Sequence, residues 1–455
     1  MTDESAHIDP FLFGNPAGLA LLSSQNRLDY SYEWFKQTSA YFNTQSHLYG
    51  TLGELNNDTV GYHGLILFPI DRWGVQLDGD FLNKEGDVPP SSSFLVVQNK
   101  NRTRETIRTA YNFGPFVLGA QVQPVQNTPA LNNQAIIGNT IVSQSGTTSS
   151  LLGTAGLLIS LLGDTSLKKD RLEIGGSYTN QLKQAQEIDN FQITVFPNTL
   201  VNLTNTLTDT NIQSWGPELY LDSPGSFQAA LIGRFVTIGI NTQLVSSDTT
   251  FTLPSASLEE ASESLGIAIF KMKTPLPASL TLNNGLLFSF SSSTYNIDPT
   301  YISTVSNGSQ QQWQLAVGTG VEKTGDFTVG FQGEMDGTTG NQQTSGNTID
   351  TINYFSYKTE IGGEKWISAK WAFRIGIIYQ NELNMGTQPY QTFFYKLESN
   401  QRVVNTTITT GLGFQDEHLK SDLMFWYGLP SVYDNPNPNA FGTQLGFQLA
   451  MGILF

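Results

Sequence analysis

Few residues in this chain are of types that do chemistry, and fewer are spaced for it. The four histidines, His7, His47, His63 and His418, are scattered without the spacing of a metal site, and no cysteine joins them. No Gly-x-Ser-x-Gly elbow, phosphate loop or dinucleotide fingerprint occurs. The chain is therefore expected to be no enzyme and to hold no metal or cofactor. What remains is a set of charged side chains alternating with apolar ones. In "NRTRETIRTAYNF", Arg102, Arg104 and Arg108 fall opposite Ile107, Tyr111 and Phe113. In "RLEIGGSYTNQ", Arg171 and Glu173 fall opposite Leu172, Ile174 and Tyr178. Asp78 and Asp80 oppose Val75, Leu77 and Phe81, and Arg374 opposes Phe373 and Ile375. Charges of both signs on one face have two readings. They form a constriction that sets the field on a permeating solute, or they pair with one another and stiffen an enclosed space.

Both readings need elements that send every second residue to an enclosed face, which is the geometry of a β-strand. The last ten residues, "GFQLAMGILF", show it plainly. Leu445, Phe447, Leu449, Met451, Ile453 and Phe455 share one face, while Gln444, Gly446, Gln448, Ala450 and Gly452 share the other. Charged residues make up only 14% of the 455 residues, against roughly 25% in ordinary globular domains. Gln, Thr, Ser and Gly hold the positions that Lys and Glu take on a soluble sandwich. That pattern favours a barrel with one face to lipid and the other to a watery or plugged lumen. No run of about 18 apolar residues exists, so a helical span is not expected. The net charge of −16 comes without a basic stripe, so nucleic acid is not an expected partner. The start, "MTDESAHIDP", has no basic n-region or apolar h-region, which reads as a mature form if the protein is exported.

Segments of this kind recur in hairpins such as "GLILFPIDRWGVQLDGDF", "RTAYNFGPFVLGAQVQ" and "YKTEIGGEKWISAKWAFRIGIIYQ", with tight turns built on Gly, Pro, Asp or Lys. Longer polar connections such as "DGTTGNQQTSGNTID" alternate with them. The layout is an all-β, transmembrane, antiparallel up-and-down barrel of up to eighteen strands in the lipid of a bacterial outer membrane.

Ahead of the strands lies "DPFLFGNPAGLALLSSQ", which predicts a short helix or two around Asn15 and Pro16. This "NPAGLALL" stretch, leading into "NRLDYSYEWF" and then the hairpin "LFPIDRWGVQL", resembles the FadL/TodX family of outer-membrane channels for hydrophobic compounds, including PorV-like barrels. The resemblance implies fourteen strands in a barrel over residues 25–455. It also implies a hatch over residues 1–24 that folds into the lumen, with Asn15, Pro16 and Ala17 as its signature. It implies an external-loop groove for the solute, for which Ile136, Ile137, Ile141 and Val142 in the connection 125–149 are candidates. A lateral gap in the wall is implied too, and Gly74 and Gly79 are candidates for the kink it needs. Asp78, Asp80, Arg102, Arg104, Arg108, Arg171, Glu173, Arg374 and Gln448 are then candidate lumen-lining residues. The expected function is passive, hatch-gated uptake of small hydrophobic molecules. Two other expectations stand beside it: a general diffusion porin with a polar lumen, and a PorV-like barrel that partners secretion machinery.

Overall fold

The computed structural model describes residues 15–21, 27–42, 51–70, 72–91, 94–137, 140–162, 170–195, 198–223, 226–244, 257–297, 305–344, 349–388, 397–434 and 437–454, with side chains over fewer of them and over almost none before residue 72 except 15–20. Eighteen strands follow one another: β1 (Arg27–Phe42), β2 (Thr51–Ile70), β3 (Trp73–Ser91), β4 (Phe94–Asn112), β5 (Phe116–Ile137), β6 (Thr140–Leu162), β7 (Arg171–Val195), β8 (Asn198–Ser223), β9 (Phe227–Leu244), β10 (Ser257–Leu276), β11 (Leu280–Ile297), β12 (Val305–Lys323), β13 (Phe327–Thr344), β14 (Ile349–Trp366), β15 (Trp371–Gln388), β16 (Leu397–Gln415), β17 (Leu419–Asp434) and β18 (Asn437–Leu454). Each pairs antiparallel with the next, and β1 pairs with β18 from Arg27 opposite Leu454 to Tyr41 opposite Ala440, which closes the ring. The fourteen strands implied by the resemblance are corrected to eighteen, because every strand is hydrogen-bonded on both sides and none is a loop hairpin outside the wall.

Closure leaves no free sheet edge, which a span through hydrocarbon requires. The outer face carries Ile107, Ile174, Leu231, Val329, Phe331 and Ile375, all exposed. On the other face Gln76, Thr106, Arg171, Glu173 and Glu218 are buried. An apolar exterior around a polar interior is the arrangement of an outer-membrane barrel. No helix among the described residues is long and apolar enough to cross a membrane.

At the end where β1 begins and β18 ends, all but one of the connections between strands run two to four residues. At the opposite end β7 and β8 run for 25 and 26 residues, more than twice the ~9–11 a crossing takes. One expectation is corrected there. The connection 125–149 is not an irregular loop, because β5 and β6 continue through it as a hairpin in which Ile136 pairs with Ile141 and Ala135 with Val142. Polar residues on both faces of that stretch hide its strand pattern.

Two turns yield predictions. Between β10 and β11, Ala278 and Ser279 have φ of 64° and 59°, the left-handed region that costs a residue with a Cβ roughly 1–2 kcal/mol. The double substitution Ala278→Asn, Ser279→Gly supplies the residues this turn geometry favours. It is expected to raise the urea midpoint of the folded, heat-modifiable form. In the β12–β13 turn, hydrogen bonds from Lys365 and Lys323 hold the Asp326 carboxyl below the usual carboxylate range. A depressed folded pKa contributes stability that is complete above the unfolded value and is lost as pH falls through the folded one. Asp326→Asn should therefore flatten the fall in urea midpoint on acidification below the ordinary carboxylate pKa, measured against the parent chain.

Candidate functional site

Inside the ring, residues Pro16–Leu21 form a six-residue 3-10 helix packed against β3, β4, β5 and β6. The local sequence explains the turn. Asn15 caps it, its Oδ1 accepting from the Ala17 amide at 3.0 Å, while its carbonyl accepts from the Gly18 amide at 3.1 Å. Pro16 fills the first helical position, where its fixed φ suits the turn and its missing N–H leaves nothing unsatisfied. The other side of the Asn15 amide faces the wall. Nδ2 donates to Glu218 Oε2 at 2.7 Å, and to the carbonyls of Leu157 and Gly176 at 3.4 Å. Asn15 and Ala17 are wholly buried.

The segment lies so close to the wall that two inward positions must lack side chains and a third has little room for one. A Cβ on Gly119 would run into the backbone of Pro16 and Ala17, and one on Gly156 into Asn15 Oδ1. One on Gly74 would stand 2.9 Å from Leu19 Cγ. Gly119 and Gly156 are direct partners across β5 and β6, so together they make a flat seat. Gly74 belongs to this seat rather than to a kink. Pairing runs without a break through Gly74 and Gly79 on both sides of β3, which corrects the placement of the wall gap there.

A different stretch of wall is interrupted, directly behind Asn15. Between β8 and β9 the ladder passes from Trp215 opposite Phe235 to Glu218 opposite Ile232, and the two intervening pairs are missing. Pro217 has no N–H to give to that ladder. Pro124 and Pro430 leave similar gaps in the β4–β5 and β17–β18 ladders, but only the Pro217 gap borders a residue bonded to Asn15. From inside, Arg234 fills it. Its guanidinium donates to Glu218 Oε1 at 2.6 Å and to the Gly233 carbonyl at 3.2 Å. Tyr220 adds a third donor to Glu218, at 3.1 Å. A buried carboxylate with three donors is a satisfied one. From outside, the gap opens on a groove of about 520 Å³ lined by Pro217, Leu219, Leu231, Gly233, Phe288 and Phe290, and the stacked rings of Trp215 and Phe235 flank it.

The other sequence candidates are placed as follows. Asp78 and Arg108 face inside and pair with each other. Arg171 binds Glu173 and Asp222, each at 3.2 Å, with all three side chains enclosed. Arg374 bridges Glu364 at 2.5 Å and Asp422. Gln448, alternating with the outward Met451 and Leu445, lies on the inner face of β18. Every described arginine among the candidates is thus in an ion pair, the arrangement that stiffens a wall. The side chains of Asp80, Arg102, Arg104, Ile136, Ile137, Ile141 and Val142 lie outside the described residues, as do residues 1–14, 22–24 and Phe455. Sequence reasoning passes over Gly119, Gly156, Pro217, Glu218 and Arg234. The one signal that could have found them is "WGPELY", a proline inside an otherwise regular strand.

No protein-family model matches the chain, and no curated protein matches it. Among solved structures it is similar to the CymD monoaromatic hydrocarbon channel, with 12% identity over 98% of this chain and 93% of that one and a TM-score of 0.37. It is similar to the toluene transporter TodX of P. putida, with 10% identity over 97% and 92% and a TM-score of 0.37. It is also similar to the ferric yersiniabactin uptake receptor FyuA of Yersinia pestis, with 12% identity over 95% and 80% and a TM-score of 0.49. Similarity at this level carries no functional argument, and the barrel rests on its own strand pairing.

Proposed function

We propose that the protein is an outer-membrane channel for the passive uptake of small hydrophobic molecules, stopped on one side of its lumen by the N-terminal segment. A solute leaves sideways into the bilayer at the Pro217 gap. One observation carries this reading: a missing piece of ladder has an apolar groove on its lipid side and, on its lumen side, the Asn15–Glu218–Arg234 latch that ties the plug to the wall. Lifting Asn15 away removes one of the three donors to Glu218, the carboxylate that holds Arg234 in the gap. The resemblance of "NPAGLALL" to the hatch signature of the FadL/TodX family supports the same assignment.

The test is to close the gap. Pro217→Val restores a ladder donor, and Gly233→Val fills the groove beside it. An added barrier of ~1.4 kcal/mol slows passage about tenfold, so uptake of a radiolabelled monoaromatic hydrocarbon by cells carrying the double variant should fall by about that factor or more. Unchanged uptake by a folded, surface-exposed double variant would sink the lateral route.

A further inference from the structure

The arginines whose side chains are described within the strands follow a rule with one exception. Arg108, Arg171, Arg234 and Arg374 face the lumen, and each is in an ion pair. Arg402 on β16 faces the other way. It alternates in step with Ile408 and Leu412, both exposed on the lipid side, and no register shift interrupts the ladders that join β14, β15 and β16 or the one from β16 to β17. Arg402 is itself exposed, and it has no ion pair among the described residues. A guanidinium keeps its charge at any working pH. On the outer face of a membrane barrel that charge must be met by water or by an anion.

The height of Arg402 in the wall puts it among headgroups. Near the short connections the outer face carries Trp371 on β15 and its partner Phe414 on β16, with ring centroids 5.0 Å apart. A strand crosses the hydrocarbon in ~9–11 residues, and Arg402 stands twelve positions from Phe414 along β16. Just short of it a second aromatic pair closes the band, where Tyr357 and Tyr379 meet at 5.9 Å. Aromatic layers of this kind mark the two interfaces of a bilayer. The side chains at the second layer are joined to the arginine. Arg402 Nε donates to Asn381 Oδ1 at 3.0 Å, and Asn381 Nδ2 donates to the Tyr357 hydroxyl at 2.8 Å. Asn381 alternates with the outward Ile375 and Ile377 yet is only 7% exposed, because these neighbours cover it. It serves as a mount that fixes the plane of the guanidinium. One of five N–H donors is spent on the mount, and the arginine's charge also acts on the hydroxyls of Tyr357 and Tyr379. A planar fork held in one orientation matches the oxygens of a phosphate.

We infer that Arg402, aimed by Asn381 and flanked by Tyr357 and Tyr379, binds the phosphate of a lipid headgroup in the leaflet away from the short connections. The site belongs to the outer wall and is independent of the plug and of the lateral route. The full chain tests it, folded into vesicles of equal parts phosphatidylglycerol and phosphatidylcholine and then released into detergent, with native mass spectrometry reading the lipid that stays on the barrel. The parent chain should keep phosphatidylglycerol in preference to phosphatidylcholine. Arg402→Gln, with the heat-modifiable band unchanged, should lower that preference about fivefold. Asn381→Ala keeps the charge without its mount and should fall between the two. Lys370→Gln removes a cation from the exposed turn at the other end of the barrel and should keep the parental preference. A parent chain with no preference, or a folded Arg402→Gln with the parental one, overturns the site. Equal losses in Arg402→Gln and Lys370→Gln would reduce the effect to net charge and overturn it too. Release of the lipid by inorganic phosphate, but not by chloride of equal ionic strength, would assign the guanidinium to a soluble anion instead of a lipid.

Discussion

Gly156→Leu should unseat the plug while the barrel stays folded. The leucine has no place to go, since even a Cβ at that position would overlap Asn15 Oδ1, and the ring of Pro16 stands 2.8 Å from it. The wall cannot give way, because Gly156 is paired through β6 to Gly119 on one side and Ser177's strand on the other. The N-terminal segment is the part free to move. Among the described residues it is held to the wall by one short side-chain hydrogen bond and two long ones, each worth about 0.5–1.5 kcal/mol net, with up to about 3 kcal/mol where the acceptor is charged. Forcing a leucine into a packed contact costs about 1–3 kcal/mol, enough to compete with those bonds. The expected readout is a severalfold rise in both single-channel conductance and hydrocarbon uptake, with the heat-modifiable band unchanged. Gly119→Leu attacks the same contact from β5 and should behave alike. Parental conductance in both variants would show that the segment does not obstruct the lumen.

The second large effect is on stability. Arg171 lies fully enclosed between Glu173 and Asp222 near the tight-turn end of β7 and β8. Removing one member of a buried charge group typically costs about 3–5 kcal/mol, because the partners are left charged and dry. Arg171→Met leaves two carboxylates facing each other, so its urea midpoint should drop by an amount of that order. The triple variant with Glu173→Gln and Asp222→Asn carries no charge there and should recover most of the loss. If Arg171→Met unfolds at the parental urea concentration, the triad contributes nothing.

The barrel was readable in the sequence because each strand has one face in lipid. Trp371, Phe373, Ile375 and Ile377 alternate with Arg374 and Gly376 for that reason alone, and the structure places the first set outside. Beyond the membrane this constraint ends. In "ALNNQAIIGNTIV" polar and apolar residues do not alternate, and a hairpin there looks like a loop. The plug was readable in part. Asn-Pro-Ala is a capped turn by residue type, but its seat is made by Gly119 and Gly156, far off in the chain and brought together only by strand register. Gly74 drew notice as a glycine in a strand, and the choice between a kink and a seat depends on what stands in front of it, which is Leu19. The same holds for charge. Alternation put Arg171 and Glu173 on the inner face, but the third partner, Asp222, follows from the register of β7 on β8. Pro217 was visible and is informative in hindsight. In a closed barrel every strand is a central strand, so a mid-strand proline must interrupt a ladder.

The central claim is that the plug must leave its seat for a hydrophobic solute to pass, and a reversible tether tests it most directly. A cysteine on Gly74 would place its Cβ 2.9 Å from the present Leu19 Cγ, close enough for a disulfide in the double variant Leu19→Cys, Gly74→Cys. Hydrocarbon uptake is then compared in the oxidised and reduced forms of one preparation. Loss of uptake on oxidation and its return on reduction is the predicted result. Equal uptake with the plug tethered and free would contradict the account.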